Sequence, residues 1–369
     1  MKRSSLILRN YLTKRIILNF LPILAILFFI ISGNQLYLVV NQSLNEGILT
    51  SELFPLILLK GLRDLPFLVS LSFSIALIYT FNKLYKNSEM IILNNAGLDD
   101  LKTIKLIMPL ILLISLFALM LSIQLVPTVK YNIENFKEEI KSRPDYIFFK
   151  AGIFQKFNNL DITFYSKSID SKGDSQFLSD VFIFDEKQNK VILSKTGIKK
   201  VDAKTKNVFL ILNDGRIYEN FHLEVENQES ITSFKVLTIN MFEPKKFHSF
   251  LNKNYEHKTL LEIISSIDLK GLKELLNRLN PSISIIIFSL FSLMICKNNT
   301  RSRFNFSLGY GFMGFIGYYN LIAFIEENMS DNFNEVIILF LLPHLLMIFT
   351  MFIIYNLQNN FILFGKRLS

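Results

Sequence analysis

Residues 53–97 read LFPLILLKGLRDLPFLVSLSFSIALIYTFNKLYKNSEMIILNNAG, a long apolar run followed by a short polar segment with lysines. A helix needs about 20 predominantly apolar residues to cross the hydrocarbon core of a bilayer. The run over residues 53–82 meets this requirement, and the lysines that follow it mark a membrane boundary. The stretch therefore predicts a membrane-spanning helix that ends in a short cytoplasmic loop.

Five further apolar runs repeat this pattern. The predicted spans are residues 16–40, 53–82, 104–126, 281–296, 304–325 and 336–356. The chain has 36 Phe and no Trp, so we expect Tyr and Phe to form the interfacial aromatic belt. The first run is too long for a cleavable signal peptide, and no small-residue cleavage site follows it. The predicted fold class is an α-helical integral membrane protein with six transmembrane helices.

Short loops with Lys and Arg alternate with short loops that have neither. Basic residues precede the first run, flank the loop after the second, separate the fourth from the fifth, and close the chain. Residues 41–52 and 326–335, on the opposite side, contain no Lys or Arg. Positive charge in short loops resists translocation, so both termini are predicted to be cytoplasmic and the central segment external. The net charge of +9 then largely reflects topology, which argues against nucleic-acid binding.

The central segment has short runs rich in Val, Ile, Phe and Thr instead of long apolar ones. Runs of strand length lie at 161–165, 181–184, 191–194, 208–212 and 233–239, with turn-forming clusters at 171–174, 187–190, 204–207 and 213–215. This spacing predicts an antiparallel sandwich or jelly roll, flanked by connector helices at 130–141 and 259–279. The chain then divides into residues 1–126 with three spans, 127–280 with the β domain, and 281–369 with three spans and a cytoplasmic tail.

Motifs for catalysis and metal binding are absent from the sequence. It has no G-x-x-x-x-G-K-[ST] phosphate loop, no H-E-x-x-H and no cluster of Cys and His, and its one cysteine, Cys296, is expected to pack within a span. We therefore predict a non-catalytic protein that binds no cofactor. If ATP drives it, another subunit must hydrolyse the ATP.

Glycines in the fifth run match the dinucleotide fingerprint G-x-G-x-x-G at residues 309–314. That fingerprint requires a preceding strand within a βαβ unit, whereas these glycines lie in an apolar run. We expect Gly311, Gly314 and Gly317 to let another helix or a lipid chain approach closely, either as helix packing or as a gate.

Residues 87–97, NSEMIILNNAG, predict a short helix at the cytoplasmic boundary. Ser88 or Asn87 can cap this helix, Glu89 suits its positive first turn, and Gly97 can end it. Two interpretations remain open. The helix is either a capped connector between two spans or a coupling helix that docks onto an ATPase subunit.

Charged residues near the outer boundary are further candidates. Lys60, Arg63 and Asp64 fall in the outward half of the second predicted span, where ionisable groups are costly and indicate function. Either Lys60 and Asp64 neutralise each other, or Lys60 or Arg63 receives a lipid phosphate. Glu274 and Arg278 form either an exposed helix pair worth about 0.3–0.5 kcal/mol or a hinge anchor between the β domain and the fourth span.

Several of these residues occur together in a known family. K-L-Y at 83–85, S-E at 88–89 and A-G at 96–97, after an apolar second span with Pro66, resemble the LptF/LptG permease family of lipopolysaccharide export. The resemblance extends to six spans with an external β domain between the third and fourth. Residues 151–155, AGIFQ, are more similar to the LptF branch than to the LptG branch.

The resemblance implies a subunit of an ABC-type exporter in the bacterial inner membrane. Its expected partners are an LptG-type permease, a dimer of LptB-type ATPase that holds ATP and Mg²⁺, and an LptC-type bitopic protein. The complex would extract lipopolysaccharide from the outer leaflet and pass it along a periplasmic β-jellyroll domain. Glu89 matches the carboxylate with which the family's coupling helix contacts the ATPase, and Ser88 and Gly97 bound that helix.

The resemblance also assigns a gate and a lipid path. In the family the lateral gate lies between the first span of one permease and the fifth span of the other, and basic residues near the outer end of the first span attract lipid phosphates. This chain departs from the pattern, because Asn34, Gln35 and Tyr37 occupy that region. Lys60, Arg63 and Gln35 are the candidate phosphate contacts, unless the partner supplies the charge.

Two alternative functions remain open. The chain could occupy the LptG-type position in the same complex. It could also be a membrane-anchored sensor or adhesion protein whose β domain binds an extracellular ligand without an ATPase.

Overall fold

The computed structural model describes residues 2–46, 50–95, 97–98, 100–141, 149–157, 161–172, 175–202, 205, 207–219, 230–242, 254–265, 268–296, 306–328 and 332–365. Its helices are α1 (Lys2–Glu46), α2 (Thr50–Arg63), α3 (Leu65–Lys86), α4 (Glu89–Asn95), α5 (Asp100–Met120), α6 (Val126–Lys141), α7 (Leu260–Ser265), α8 (Leu269–Cys296), α9 (Ser307–Glu327) and α10 (Phe333–Gly365). Strands β1 to β6 are Gln155–Phe157, Ile162–Lys172, Ser175–Asp185, Lys190–Val201, Val208–Glu219 and Ser230–Phe242. The chain forms a membrane unit (Met1–Tyr37, Pro55–Ile133 and Phe250–Ser369) and a sheet unit (Leu38–Phe54 and Glu134–Ser249).

Among the described residues, six stretches of helix are long and apolar enough to cross a membrane. They are Leu6–Asn41, Leu65–Lys86, Lys102–Ile140, Leu269–Cys296, Ser307–Glu327 and Phe333–Leu357. They follow the order of the predicted spans, so the prediction of six membrane helices is confirmed. The most apolar windows of the second and fourth spans are 72% and 67% buried, whereas that of the first span is 11% buried. The second and fourth spans therefore form the centre of the membrane unit, and the first lies at its edge.

The second span is shorter than the sequence predicts. One run was expected over residues 53–82, but α2 ends at Arg63 and α3 begins at Leu65. Pro66 lies in the first turn of α3. The N–H groups of a first turn have no partner within the helix, so the missing N–H of proline costs no hydrogen bond there. Inside one continuous helix it would lose a hydrogen bond and clash with the preceding turn. Lys60 and Arg63 consequently lie in α2, a separate helix that precedes the span Leu65–Lys86, and the prediction of one continuous run over residues 53–82 was wrong.

The third and fourth helices extend beyond the predicted spans. α5 continues through a π-helical turn, Leu121–Leu125, into α6, so the connector predicted at 130–141 prolongs the third span. α8 begins at Leu269 and carries Pro281 inside it. The second connector, predicted at 259–279, is divided between α7 and the start of α8.

Small polar side chains join the central helices. The hydroxyl oxygens of Ser70 in α3 and Ser284 in α8 lie 2.5 Å apart, and those of Ser115 in α5 and Ser282 in α8 lie 2.6 Å apart. Small residues let helix backbones approach closely, and buried hydroxyls hydrogen-bond to each other because an unpaired polar group in apolar surroundings is costly. These pairs set the register of α3, α5 and α8 within a largely apolar core.

The sheet unit contains one antiparallel sheet with its strands in sequential order, β1 to β6. In β2 and β3, for example, Phe164 lies opposite Ile183, and both side chains are buried in the core of this unit together with Leu210 of β5. The predicted antiparallel β domain is confirmed. The described strands follow an up-and-down order, without the crossing connections of a Greek key.

Residues 213–215, which were predicted to form a turn, lie within β5. Asp214 has a φ of +53°, yet the strand continues, because Gly215 pairs with Ser194 of β4. The neighbouring strands skip a pair at the same level, and Asp180 of β3 has a φ of +47°. Each paired strand skips one residue at this level, so the register is kept; the left-handed φ of Asp214 is the feature that this position shares with a turn. The turn prediction was wrong.

Candidate functional site

The short helix predicted after the second span is α4, and a glycine ends it. Gly97 has a φ of +86°, its N–H donates to the carbonyl of Asn94 at 3.0 Å, and the N–H of Leu98 donates to the carbonyl of Leu93 at 3.1 Å. Together these bonds form a Schellman motif, in which glycine accommodates the left-handed backbone. The prediction that Gly97 ends this helix is confirmed.

The start of α4 differs from the prediction. Ser88 has a left-handed backbone, with φ +59°, and Asn87 donates its side-chain amide to Oε1 of Glu89 at 3.2 Å. A capping side chain must accept a hydrogen bond from a backbone N–H, so this donated bond is not a cap. Met90 is fully buried in the core of the membrane unit and fixes α4 there, while Ile91 and Ile92 are exposed.

Glu89 contacts the beginning of the first membrane helix. The Tyr11 hydroxyl donates to Oε2 of Glu89 at 2.5 Å, and Nη1 of Arg15 donates to Oε1 at 3.1 Å. Neither partner is recognisable from the sequence alone, where Tyr11 is one of the tyrosines near the span ends and Arg15 is one of the basic residues before the first span. The residues that meet here are more than 70 positions apart in the chain, and no local pattern joins them.

These contacts favour the ionised form of Glu89. The hydrogen bond from Tyr11 is the largest influence and lowers the pKa of Glu89, partial burial opposes it, and Asn87 and Arg15 lower it further. The carboxylate therefore carries its charge at neutral pH. With 27% of its side chain exposed, it can also meet a cation from another protein.

The predicted phosphate contacts lie at the start of the second span. Nε of Arg63 donates to Oδ1 of Asp64 at 2.8 Å, and Nε2 of Gln35 donates to Oδ2 at 3.1 Å. Arg63 and Gln35 are thus brought together by one carboxylate. Lys60 is 7% exposed, whereas the Arg63 side chain is 36% exposed. Arg63 is therefore the more accessible cation of the two.

Arg278 is a buried anchor at the start of the fourth span. Nε of Arg278 donates to Oε1 of Glu274 at 2.8 Å, and Nη2 donates to the carbonyls of Tyr255 (3.2 Å), Glu256 (3.4 Å) and Lys258 (3.0 Å). The Arg278 side chain is 3% exposed, so the alternative of an exposed surface pair was wrong. Removing one partner of a buried pair costs about 3–5 kcal/mol. Arg278 fastens the segment before α7 to α8, while its role as a hinge stays a prediction.

Two further polar contacts lie near this anchor. Nζ of Lys130 is 2.9 Å from Oε2 of Glu256, and Nδ2 of Asn280 donates to Oε1 of Glu326 at 3.0 Å. Burial acts to raise the pKa of Glu256, but the hydrogen bond and charge of Lys130 outweigh it and lower the pKa. The sequence analysis missed these contacts because the partners are 126 and 46 residues apart.

The three predicted gate glycines have different surroundings. A Cβ on Gly311 would lie 2.2 Å from Cδ1 of Ile78, and one on Gly314 would lie 3.2 Å from Cε1 of Phe291. A Cβ on Gly317 would have no neighbour within 4 Å. Gly311 and Gly314 therefore let α9 pack within this chain, and Gly317 leaves a surface open to a lipid or a second protein.

Metal chemistry has no basis in the part of the chain that the structure describes. That part contains no group of three or more His, Cys, Asp and Glu side chains able to hold an ion. Cys296 is a buried free thiol at the end of α8, as expected of a packing residue.

The order of helices, sheet and α4 is matched by one family over nearly the whole chain. The family model, described as lipopolysaccharide export system permease LptF/LptG, matches residues 10–357. The chain belongs to the LptF/LptG family. No curated protein matches it significantly. The match runs from α1 into α10, so this multi-pass membrane protein is a membrane component of the lipopolysaccharide export permease type.

We expect Gly311→Ala to lower the melting temperature of the purified LptF/LptG-family chain in detergent. The added methyl group would overlap Ile78, and overpacking a core costs about 1–3 kcal/mol. Gly317→Ala is the matched control on the same helix and should melt like the unmodified chain. Equal melting temperatures for both variants would contradict the packing of α9 described above.

Proposed function

We propose that the chain is the LptF-type permease subunit of an ATP-driven lipopolysaccharide exporter in the bacterial inner membrane. The family match over residues 10–357 carries the proposal. The similarity of residues 151–155 to the LptF branch favours this position over the LptG-type one. Its partners are an LptG-type permease, two LptB-type ATPase subunits and an LptC-type bitopic protein. To separate the two positions, the chain is mixed with a purified LptG-type permease and, separately, with a purified LptF-type permease. Assembly with the LptG-type partner alone supports the LptF-type position, and assembly with the LptF-type partner alone supports the LptG-type position.

In this proposal α4 is the coupling helix and Glu89 meets the ATPase. The helix is fixed to the membrane unit by Met90, and its Glu89 carboxylate is ionised and partly exposed. Lys and Arg in the neighbouring loops favour a cytoplasmic position for α4, where ATP is available. The same rule puts both termini in the cytoplasm and the β domain in the periplasm. ATP and Mg²⁺ then belong to the ATPase, and this chain transmits its movement.

The exposed apolar helices supply the lipid path. The first and fifth spans are mostly exposed within this chain, and Phe29 of α1 and Met313 of α9 are each 73% exposed. Exposed apolar surface of this extent indicates contact with acyl chains or with a second membrane protein. These two helices form the lateral gate with the corresponding helices of the partner permease, and the cavity between the permeases receives the acyl chains.

Arg63 is the proposed contact for a lipid phosphate. Its guanidinium is already held on one side by Asp64, and its exposed part can donate further hydrogen bonds to a phosphate oxygen. Gln35 lies on the same carboxylate and adds an amide next to it. Lys60 is largely buried, so it would attract the phosphate through its charge and would not contact it directly.

Replacing Glu89 with Ala should weaken the retention of an LptB-type ATPase during purification in mild detergent, or reduce lipid release per ATP. The substitution removes an ionised group that makes charge-assisted hydrogen bonds, each worth about 1.5–3 kcal/mol. Asn94→Ala, at an exposed position of the same helix, is the control. Unchanged assembly together with unchanged lipid release would refute the role of Glu89, and complete absence of a bound ATPase would favour the sensor alternative.

Photocrosslinking from single positions tests the phosphate contact. A photoreactive amino acid at position 63 should label lipopolysaccharide in membranes, and positions 35 and 60 should label it less, because Gln35 and Lys60 are 8% and 7% exposed. Position 352, exposed on α10, is the control for random contact with lipid. Labelling at 352 that equals labelling at 63 would contradict a specific phosphate site.

A further inference from the structure

Glu89 belongs to a closed set of three side chains. The Tyr11 hydroxyl donates to Oε2 of Glu89 at 2.5 Å, and Nη1 of Arg15 donates to Oε1 at 3.1 Å. The guanidinium carbon of Arg15 also lies 4.6 Å from the centre of the Tyr11 ring, within the range of a cation–π contact. Each member of this set, called here the Tyr11–Arg15–Glu89 set, contacts the other two.

The set joins α4 to the first turns of the first membrane helix. Tyr11 and Arg15 are four residues apart, so they lie on one face of α1. Leu12 and Ile16, which follow them in sequence, are buried in the core of the membrane unit. This end of α1 is therefore docked, and the Glu89 carboxylate at the start of α4 is bound to the docked end.

The remainder of α1 has little packing to hold it. The most apolar window of this span is 11% buried within the chain. Among the described residues, Nδ2 of Asn19 donates to Oγ1 of Thr80 at 2.8 Å, and Nε2 of Gln35 donates to Oδ2 of Asp64 at 3.1 Å. In a helix with so little buried surface, polar bonds of this kind have a large share in setting its position. The Tyr11–Arg15–Glu89 set connects this helix to α4.

Glu89 retains capacity for another partner. An ionised carboxylate has about four acceptor positions, and Tyr11, Arg15 and Asn87 use three of them. Its side chain is 27% exposed. A cation of the ATPase can therefore bind the free position while Tyr11 and Arg15 remain in place.

We infer that Tyr11 and Arg15 are positioning residues that transmit the movement of α4 to the first membrane helix. When the ATPase displaces α4 through Glu89, the set carries the docked end of α1 with it. Because α1 is also the proposed gate helix, the set links the nucleotide state of the ATPase to the gate. This inference rests on the proposed function, since it requires the contact between Glu89 and the ATPase.

The test uses the chain reconstituted in proteoliposomes with its partner permease and the ATPase. Tyr11→Phe removes the hydroxyl and keeps the ring, Arg15→Gln removes the charge, and Arg15→Lys keeps it. Lys14→Gln is the control for loss of a charge at the same depth, and Tyr79→Phe is the control for loss of an exposed tyrosine hydroxyl. ATPase retention, ATP hydrolysis and lipopolysaccharide released per ATP are measured for each variant.

We expect Tyr11→Phe and Arg15→Gln to retain the ATPase but to lower the lipid released per ATP about fivefold or more, the lower end of typical coupling between sites. Arg15→Lys should recover part of the loss, and the two controls should match the unmodified chain. A purely structural role would change assembly or thermal stability and leave the ratio of lipid to ATP unchanged. Arg15 is one-third exposed, at 33%, so Gln is tolerated there even if Tyr11→Phe is unstable.

Combination with Glu89→Gln separates this inference from the proposed function. If the three residues act together, adding Tyr11→Phe or Arg15→Gln to Glu89→Gln should cause no further loss, because neighbours in one network are not additive. Full activity of Glu89→Gln alone would defeat the proposed ATPase contact. Two outcomes would overturn the positioning role. In the first, Glu89→Gln loses coupling while Tyr11→Phe and Arg15→Gln keep it. In the second, the losses of the single variants multiply in the double variants.

Discussion

The membrane unit depends on the close approach of α3 to α8. Serines at this contact let the two backbones come together, and the Ser70–Ser284 pair satisfies two hydroxyls that lipid could not. These two helices bury most of their apolar surface within the chain, so they need no partner to be placed. The other consequence is that α1, α9 and α10 remain at the edge with apolar side chains exposed, a surface suited to contact with lipid or with a second membrane protein.

Polar contacts occur where the membrane helices end, and each serves a different purpose. Glu89 with Tyr11 and Arg15 joins α4 to α1. Arg278 holds three backbone carbonyls next to α8, which secures the segment that leads from the sheet unit into the fourth span. An isolated charge would be costly at the buried Arg278, and its pairing with Glu274 and the backbone carbonyls makes it acceptable.

Sequence patterns predicted the six spans, the antiparallel sheet and the glycine that ends α4, because hydrophobic period and turn chemistry are local properties. The break at Asp64 was missed because α2 and α3 are both apolar, and only Pro66 marked it. The N-D-G signal at 213–215 was misread because Asp214 has the left-handed backbone of a turn residue although β5 continues through it in register. The Tyr11 and Arg15 contacts were beyond local patterns, since they depend on how α1 docks beside α4.

The central claim of the proposed function is that α4 lies in the cytoplasm and the β strands lie in the periplasm. The single native cysteine, Cys296, is buried, so one added cysteine can be labelled selectively. With a membrane-impermeant maleimide, a cysteine replacing Lys167 in β2 should react in cells whose outer membrane alone is permeabilised, and one replacing Asn94 in α4 should react only after the inner membrane is opened. The reverse order, or reaction of both before the inner membrane is opened, would contradict the account.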